Sequence, residues 1–239
     1  MNGRDDDPAP PAWLDADAPH EEAHSRAQID ALKRWLDPAP KRVLDLGCGA
    51  GRVLVPLAAA GHALTGVDWN NEARRRCAAR LSEAGADADL IEGDFRREAD
   101  LPAGPFDAVL CLGNTFMTIV DVEEAVTLLQ RVRRRLVPGG AFVIDDCPHD
   151  FWPELTEGNW TAGLSEDGAM QLVWDGGDSI FTLRRGEAVN PQDWNIRPGE
   201  RIFRLWLDGA LRLAARAGGL SAPQRLPDTP LLAMRREGG

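Results

Sequence analysis

Apolar positions along this chain follow two rhythms, and their alternation predicts the elements. Helical spacing places Ile29, Leu32 and Leu36 on one face of a helix from Glu21 to Leu36, which Pro38 and Pro40 end. Val43, Leu44 and Leu46 form a short apolar run with Asp45 at its end, and a glycine turn follows. Val53–Ala60 reads as a helix closed by Gly61, and Ala63–Val67 as a strand ending in Asp68. Asn70 or Asn71 can cap the next helix, which runs to Ala84 with Cys77 and Leu81 inward. Strands follow at Ala88–Glu92, Phe106–Leu112 and Ala141–Asp145, the last after a turn at Pro138-Gly139-Gly140. Between them Asp121 and Glu124 make a capping pair for a helix to Leu136, with Ala125, Leu128, Leu129, Val132 and Leu136 inward.

Strands that alternate with helices, and that are apolar throughout, indicate a parallel sheet covered on both faces. The expected fold class is therefore α/β: a doubly wound, mostly parallel, seven-stranded sheet. After Asp150 the pattern changes. Met170–Trp174 and Ser179–Val189 predict a hairpin turning at Asp175–Asp178, and Arg201–Trp206 a further strand. Residues 151–206 are read as an antiparallel β insertion that lies over one sheet edge as a lid. A helix at Leu207–Ala217 and a strand at Pro230–Arg235 complete the domain, 19–239. Residues 1–18, rich in Asp, Pro and Ala, are read as a disordered tail.

Composition narrows the partners. A formal charge of −11 argues against broad nucleic-acid binding. Arg131, Arg133, Arg134 and Arg135 are read as a solvated face near a helix C-terminus, where positive charge suits the dipole. No apolar run approaches the ~20 residues a membrane span needs. Cys48, Cys77, Cys111 and Cys147 have neither CxxC nor zinc spacing, so they read as buried thiols in a reducing cytosol and no metal is expected. The expectation is a cytoplasmic monomer or homodimer. No tyrosine exists to serve as a phenolate base.

The chemistry centres on Arg42–Arg52, RVLDLGCGAGR. A dinucleotide fingerprint is GxGxxG. Here the third glycine comes one position early, as Gly47-Cys48-Gly49-Ala50-Gly51, and Arg52 stands where the last would be. This D-x-G-x-G-x-G form resembles the first motif of the class I S-adenosylmethionine-dependent methyltransferases, a Rossmann-like family. The resemblance covers residues 25–147 well. It implies S-adenosylmethionine as cofactor, with the glycine turn and Asp45 at its amino-acid end. It implies Asp68 on the ribose hydroxyls and Asp94 on the adenine amino group. Trp69 and Phe95 either flank the adenine ring or belong to the core. Leu112-Gly113-Asn114-Thr115-Phe116 and Val143-Ile144-Asp145-Asp146 are similar to the glycine and sarcosine N-methyltransferase group, in which the segment matching Leu112, Gly113 and Asn114 lines the sulfonium and the acceptor. The N/D-P-P-Y/F motif of amino-nucleobase methyltransferases is lacking. So are the tyrosines and acceptor region of the glycine group.

The implied reaction is methyl transfer to N or O of a small-molecule acceptor. Protein or RNA methylation, or binding without transfer, are the alternatives. Catalytic candidates are Asn114, to orient an acceptor lone pair; His149, as a base; and Asp146, or Asp145, to bind a cationic amine. Five of the eight tryptophans, Trp152, Trp160, Trp174, Trp194 and Trp206, follow residue 150 and can build a lid, although Trp174 and Trp206 are expected in the core. Arg184 and Arg204 can clamp a carboxylate, but strand arginines are expected to face solvent.

Overall fold

A computed structural model describes residues 22–146, 160–227, 229 and 231–238. The tail at 1–18, Cys147, His149 and Trp152 lie outside them. The order is α1 (Glu22–Leu36), β1 (Arg42–Leu46), α2 (Leu54–Ala59), β2 (Ala63–Asp68), α3 (Asn71–Glu83), β3 (Asp89–Glu92), β4 (Phe106–Cys111), α4 (Val122–Arg135) and β5 (Leu136–Asp145). A late segment follows with β6 (Trp160–Thr161), β7 (Leu164–Ser165), β8 (Met170–Trp174), β9 (Ile180–Arg185) and β10 (Phe203–Arg204). The chain ends in α5 (Asp208–Ala217), β11 (Gln224–Arg225) and β12 (Leu231–Arg235).

The main sheet has seven strands in the order β11-β12-β5-β4-β1-β2-β3. β3, β2, β1, β4 and β5 run parallel, whereas β12 is antiparallel to β5 and β11 to β12. Successive residues of a strand point to opposite faces, so each strand serves two cores. Leu44, Val109 and Phe142 pack with Leu128, Leu129 and Val132 of α4 and Leu211 of α5. Val43, Ala108 and Val143 pack with Leu32 of α1, Leu54 of α2 and Cys77 of α3. The doubly wound reading holds. Asn70 caps α3 by accepting from the Ala73 N–H at 3.0 Å, and Asp121 caps α4 by accepting from Glu124 at 2.7 Å.

Three expectations change. Pro138-Gly139-Gly140 is no turn ahead of β5 but a bulge inside it: the pairing with β4 jumps from Phe106↔Leu136 to Ala108↔Ala141. The bulge is held by the C-terminal segment, with Gly139 N donating to Arg236 O and Arg236 N to Gly140 O, both at 2.8 Å. The arginines of α4 are not simply solvated, because Arg131, Arg134 and Arg135 converge on Glu98 at 3.0, 3.1 and 2.8 Å. Arg184 and Arg204 do not face solvent. Both are buried; Arg184 pairs with Glu200 at 2.6 Å and Arg204 with Asp178 at 2.6 Å.

β6–β10 form a separate antiparallel sheet in the order β10-β9-β8-β7-β6. Its apolar face, with Leu172, Phe181 and Phe203, packs on Met117 in the 3-10 turn Thr115–Thr118 after β4. Arg204 Nε donates to Val120 O at 2.5 Å and Trp206 Nε1 to Ile119 O at 3.2 Å. The second sheet is thus tied to the segment that leaves the carboxyl end of β4. Trp206 lies in the main core beside Phe116, and Trp174 packs against Phe181, as expected for core residues.

Candidate active site at the carboxyl ends of the parallel strands

The glycine turn after β1 needs its glycines. Gly47, Gly49 and Gly51 have φ of 73°, 52° and 79°, the left-handed region where a side chain is strained. They differ in what a side chain would meet. A Cβ on Gly47 would lie 2.7 Å from Thr115, and one on Gly51 2.6 Å from Cys77 Sγ. A Cβ on Gly49 would meet nothing within 4 Å. The turn is therefore wedged on two sides and open at Gly49. Beneath it the Cys48 and Cys77 thiols are hydrogen-bonded together; that bond, then burial and the Asp45 and Asp68 charges, push the Cys48 thiol far up.

Asp45 lies beside this opening. It is 3% exposed, and among the described residues nothing donates a hydrogen bond to its carboxylate. Burial pushes its pKa up to about 7; Arg52 opposes the rise, and Asp68 and Asp145 add to it. Asp68, at the end of β2, accepts from Gly49 N and from Asn70 N, both at 2.8 Å. It is not the cap of α3, a role Asn70 fills, and its bond to Gly49 aims the carboxylate at the open side of the turn. Trp69 beside it is 42% exposed, whereas Phe95 is buried in the core. Asp94 is buried and clasped by Arg96, whose Nε donates to Oδ1 at 3.0 Å and Nη2 to Oδ2 at 3.3 Å.

After β4, Leu112 is buried and Gly113 and Asn114 both turn left-handed, with φ of 72° and 59°. Thr115 presses on Gly47, which brings this turn against the glycine turn. Asn114 N donates to Asp145 Oδ2 at 2.9 Å. Asp145 Oδ1 accepts from Gln28 Nε2 at 2.8 Å, and Gln28 Oε1 accepts from Arg52 Nη1 at 2.7 Å. A polar chain thus runs from the β4 turn through β5 and α1 back to the glycine turn. Gln28 was no candidate from sequence: it is one polar residue in a helical pattern, 117 positions from Asp145. Arg52 gave one signal, its place where a dinucleotide fingerprint has glycine.

Asp45, Gly47, Cys48, Gly49, Gly51, Asp68, Leu112, Gly113 and Asn114 come together around the β1, β2 and β4 ends, with Trp69 at the rim. Asp146 does not join Asn114 in the polar chain. It is buried in an ion pair with Arg225 of β11, so it is a poor seat for a cationic amine. Placed at the carboxyl ends where strand order reverses between β1 and β4, the cluster occupies the ligand crevice of open α/β sheets.

Known proteins agree with that geometry. Residues 43–140 match a family described as methyltransferase domain. The chain is 40% identical over 182 residues to the cypemycin N-terminal methyltransferase of a Streptomyces species, a match covering 73% of this chain and 63% of that protein. It is 34% identical over 206 residues to the glycine N-methyltransferase of Rattus norvegicus, covering 76% and 70%. The fold is that of a crystal structure of an S-adenosylmethionine-dependent methyltransferase from Clostridium acetobutylicum, with a TM-score of 0.66 at 16% identity over 95% of this chain and 98% of that one. With the glycine turn, the two strand-end aspartates and the 3-2-1-4-5 strand order already in place, these likenesses settle kinship: the chain belongs to the class I S-adenosylmethionine-dependent methyltransferases.

Proposed function

We propose that this protein transfers a methyl group from S-adenosylmethionine to N or O of a small-molecule acceptor. One observation carries the reading: a buried carboxylate, Asp45, with no donor among the described residues, beside a glycine turn that is open at Gly49. A charge left unpaired in the interior is expensive, and a ligand cation compensates it. The residues fit the cofactor. Asp45 would take its ammonium, the turn's backbone its amino-acid end, and Asp68 its vicinal hydroxyls. Trp69 would flank the base. Asp94 would reach the adenine amino group only in competition with Arg96. The sulfonium supplies an already activated methyl, so the chain's task is to position the partners and exclude water.

Leu112, Gly113 and Asn114 would line the reacting centre, with the Asn114 side chain orienting an acceptor lone pair. The five-stranded sheet, anchored through Met117, would serve as the lid. His149 stands as a further base candidate. Both atoms find support among the relatives, which include a glycine N-methyltransferase and ubiquinone biosynthesis O-methyltransferases. The cypemycin relative also supports a second reading, in which the acceptor is the terminal amine of a longer chain. An RNA acceptor loses its basic surface, since three of the four clustered arginines are engaged by Glu98. Among the described residues no helix is long and apolar enough to cross a membrane. The three described cysteines are free, which supports a cytoplasmic setting. A monomer or homodimer is the proposed state.

Isothermal titration with S-adenosylmethionine and its demethylated product tests the cofactor reading, and micromolar binding of both is expected; no binding overturns it. Labelled methyl incubated with metabolite extracts then tests transfer. A labelled small amine supports the main reading, a labelled polypeptide the second, and binding without any labelled product rejects both.

A further inference from the structure

The cofactor reading uses the β1 and β2 ends and leaves a buried network unexplained. Asp145 closes β5 and lies on the far side of β4 from Asp45. In the pairing register Asp45 sits opposite Leu110 of β4, and Ile144 opposite Cys111, so Asp145 stands beside the residue that follows, Leu112. Two buried carboxylates therefore bracket the carboxyl end of β4, one from each neighbouring strand. They are close enough to feel each other's charge. Among the described residues the charged groups acting on Asp45 are Arg52, Asp68 and Asp145.

Asp145 is also held with care. Gln28 Nε2 donates to one oxygen and Asn114 N to the other, and Gln28 is itself fixed by Arg52. Gln28 is 1% exposed, so α1 contributes a fully buried amide to a site built otherwise at strand ends. Core packing alone would not call for such an amide, because a buried polar network that only fills space is easily replaced by apolar side chains.

We propose that Asp145 is a specificity-determining residue that makes this site prefer the methylated, cationic donor over the demethylated product, and that Gln28 is the positioning residue that aims it. The inference rests on the cofactor reading above. Donor and product share the ammonium, carboxylate and nucleoside; they differ by one methyl and one positive charge on sulfur. The strand order reverses between β1 and β4, and a cation held over the carboxyl end of β4 would lie between Asp45 on β1 and Asp145 on β5. Within a low-dielectric crevice a carboxylate a few ångströms away favours the sulfonium over the neutral thioether by about tenfold or more. Product release after transfer is then promoted by the loss of that charge, without a conformational step.

The test uses the full chain and two probes, S-adenosylmethionine and S-adenosylhomocysteine, titrated calorimetrically into wild type, Asp145→Asn and Gln28→Met. In wild type the donor is expected to bind more tightly than the product. In Asp145→Asn the ratio of the two dissociation constants is expected to narrow about tenfold, through weaker donor binding. In Gln28→Met, which leaves the charge but frees the carboxylate, it is expected to narrow about threefold. Gln28→Met also serves where Asp145→Asn fails to fold. Equal losses of donor and product affinity would overturn the proposal and leave Asp145 a structural residue. A wild type that binds both ligands equally would overturn it too. Failure of wild type to bind either ligand would instead reject the cofactor reading.

Discussion

The glycine turn and the late five-stranded sheet both bury charge, and they do so in opposite ways. In the late sheet, Arg184 sits between Glu200 at 2.6 Å and Asp193 at 3.9 Å, and its Nη1 and Nη2 donate to the carbonyls of Asp193 and Asn195 at 2.6 Å. Arg204 is likewise closed by Asp178, and its hydrogen bonds draw the Asp178 carboxyl below its usual range. At the turn, no described residue closes on Asp45 in that way, and burial holds its pKa near neutrality. Arg185, whose buried Nε has no partner among the described residues, is the late sheet's own exception. The difference teaches how to read a buried charge. One that is answered within the chain holds a fold together; one left unanswered beside open backbone awaits a ligand.

The sharpest way to break this contrast is Asp45→Asn. Donor affinity is expected to fall about a hundredfold, since a charge-assisted contact to the ammonium is lost in a buried site. The free protein should become more stable. The folded pKa of Asp45 is raised, so the folded state holds a proton the unfolded chain gives up, and wild-type stability declines as pH rises from about 4 through about 7. At pH 8 the substitution should therefore stabilise by about 4 kcal/mol, or roughly 8–16 °C in Tm, and at pH 4 by almost nothing. Thermal melts at the two pH values check the sign.

Arg184→Met is the mirror experiment. It leaves Glu200 without its paired guanidinium, while Asp193 keeps Arg197 at 2.7 Å, and should destabilise by about 2–3 kcal/mol with donor affinity staying within twofold. Denaturant titration with calorimetry reads both. A smaller separation comes from the glycines. Gly49→Ala should weaken the donor about tenfold and lower stability by about 1 kcal/mol, because the methyl enters open space that backbone and ligand share. Gly51→Ala should lose more stability than Gly49→Ala, since its methyl meets Cys77 and Val55 at 2.6 and 2.8 Å.

What the sequence disclosed follows the same division. The turn was legible because left-handed backbone demands glycine and because strand, turn and helix are contiguous, so Asp45, Gly49 and Asp68 were read directly. The fold was legible through its apolar runs, which β1, β2 and β4 each carry within five or six residues. The polar chain through Gln28 and Asp145 was not, because it joins residues far apart whose types are unremarkable locally. The burial of Arg184 and Arg204 was missed for a related reason: strand alternation marks which residues share a face, but a loop at 190–201 decides that this face is covered. The bulge at Pro138-Gly139-Gly140 read as a turn because its stabilising partner, Arg236, lies a hundred residues on.

Central to this account is that Asp45 is the seat of the donor's ammonium. The most direct test counts protons. S-adenosylmethionine is titrated into wild type and Asp45→Asn at pH 7, each in two buffers of different ionisation enthalpy. Because free Asp45 is then about half protonated and the bound ammonium would ionise it, wild type should release about half a proton more than the variant. Equal proton release by the two proteins, with wild-type affinity retained in the variant, would contradict the account.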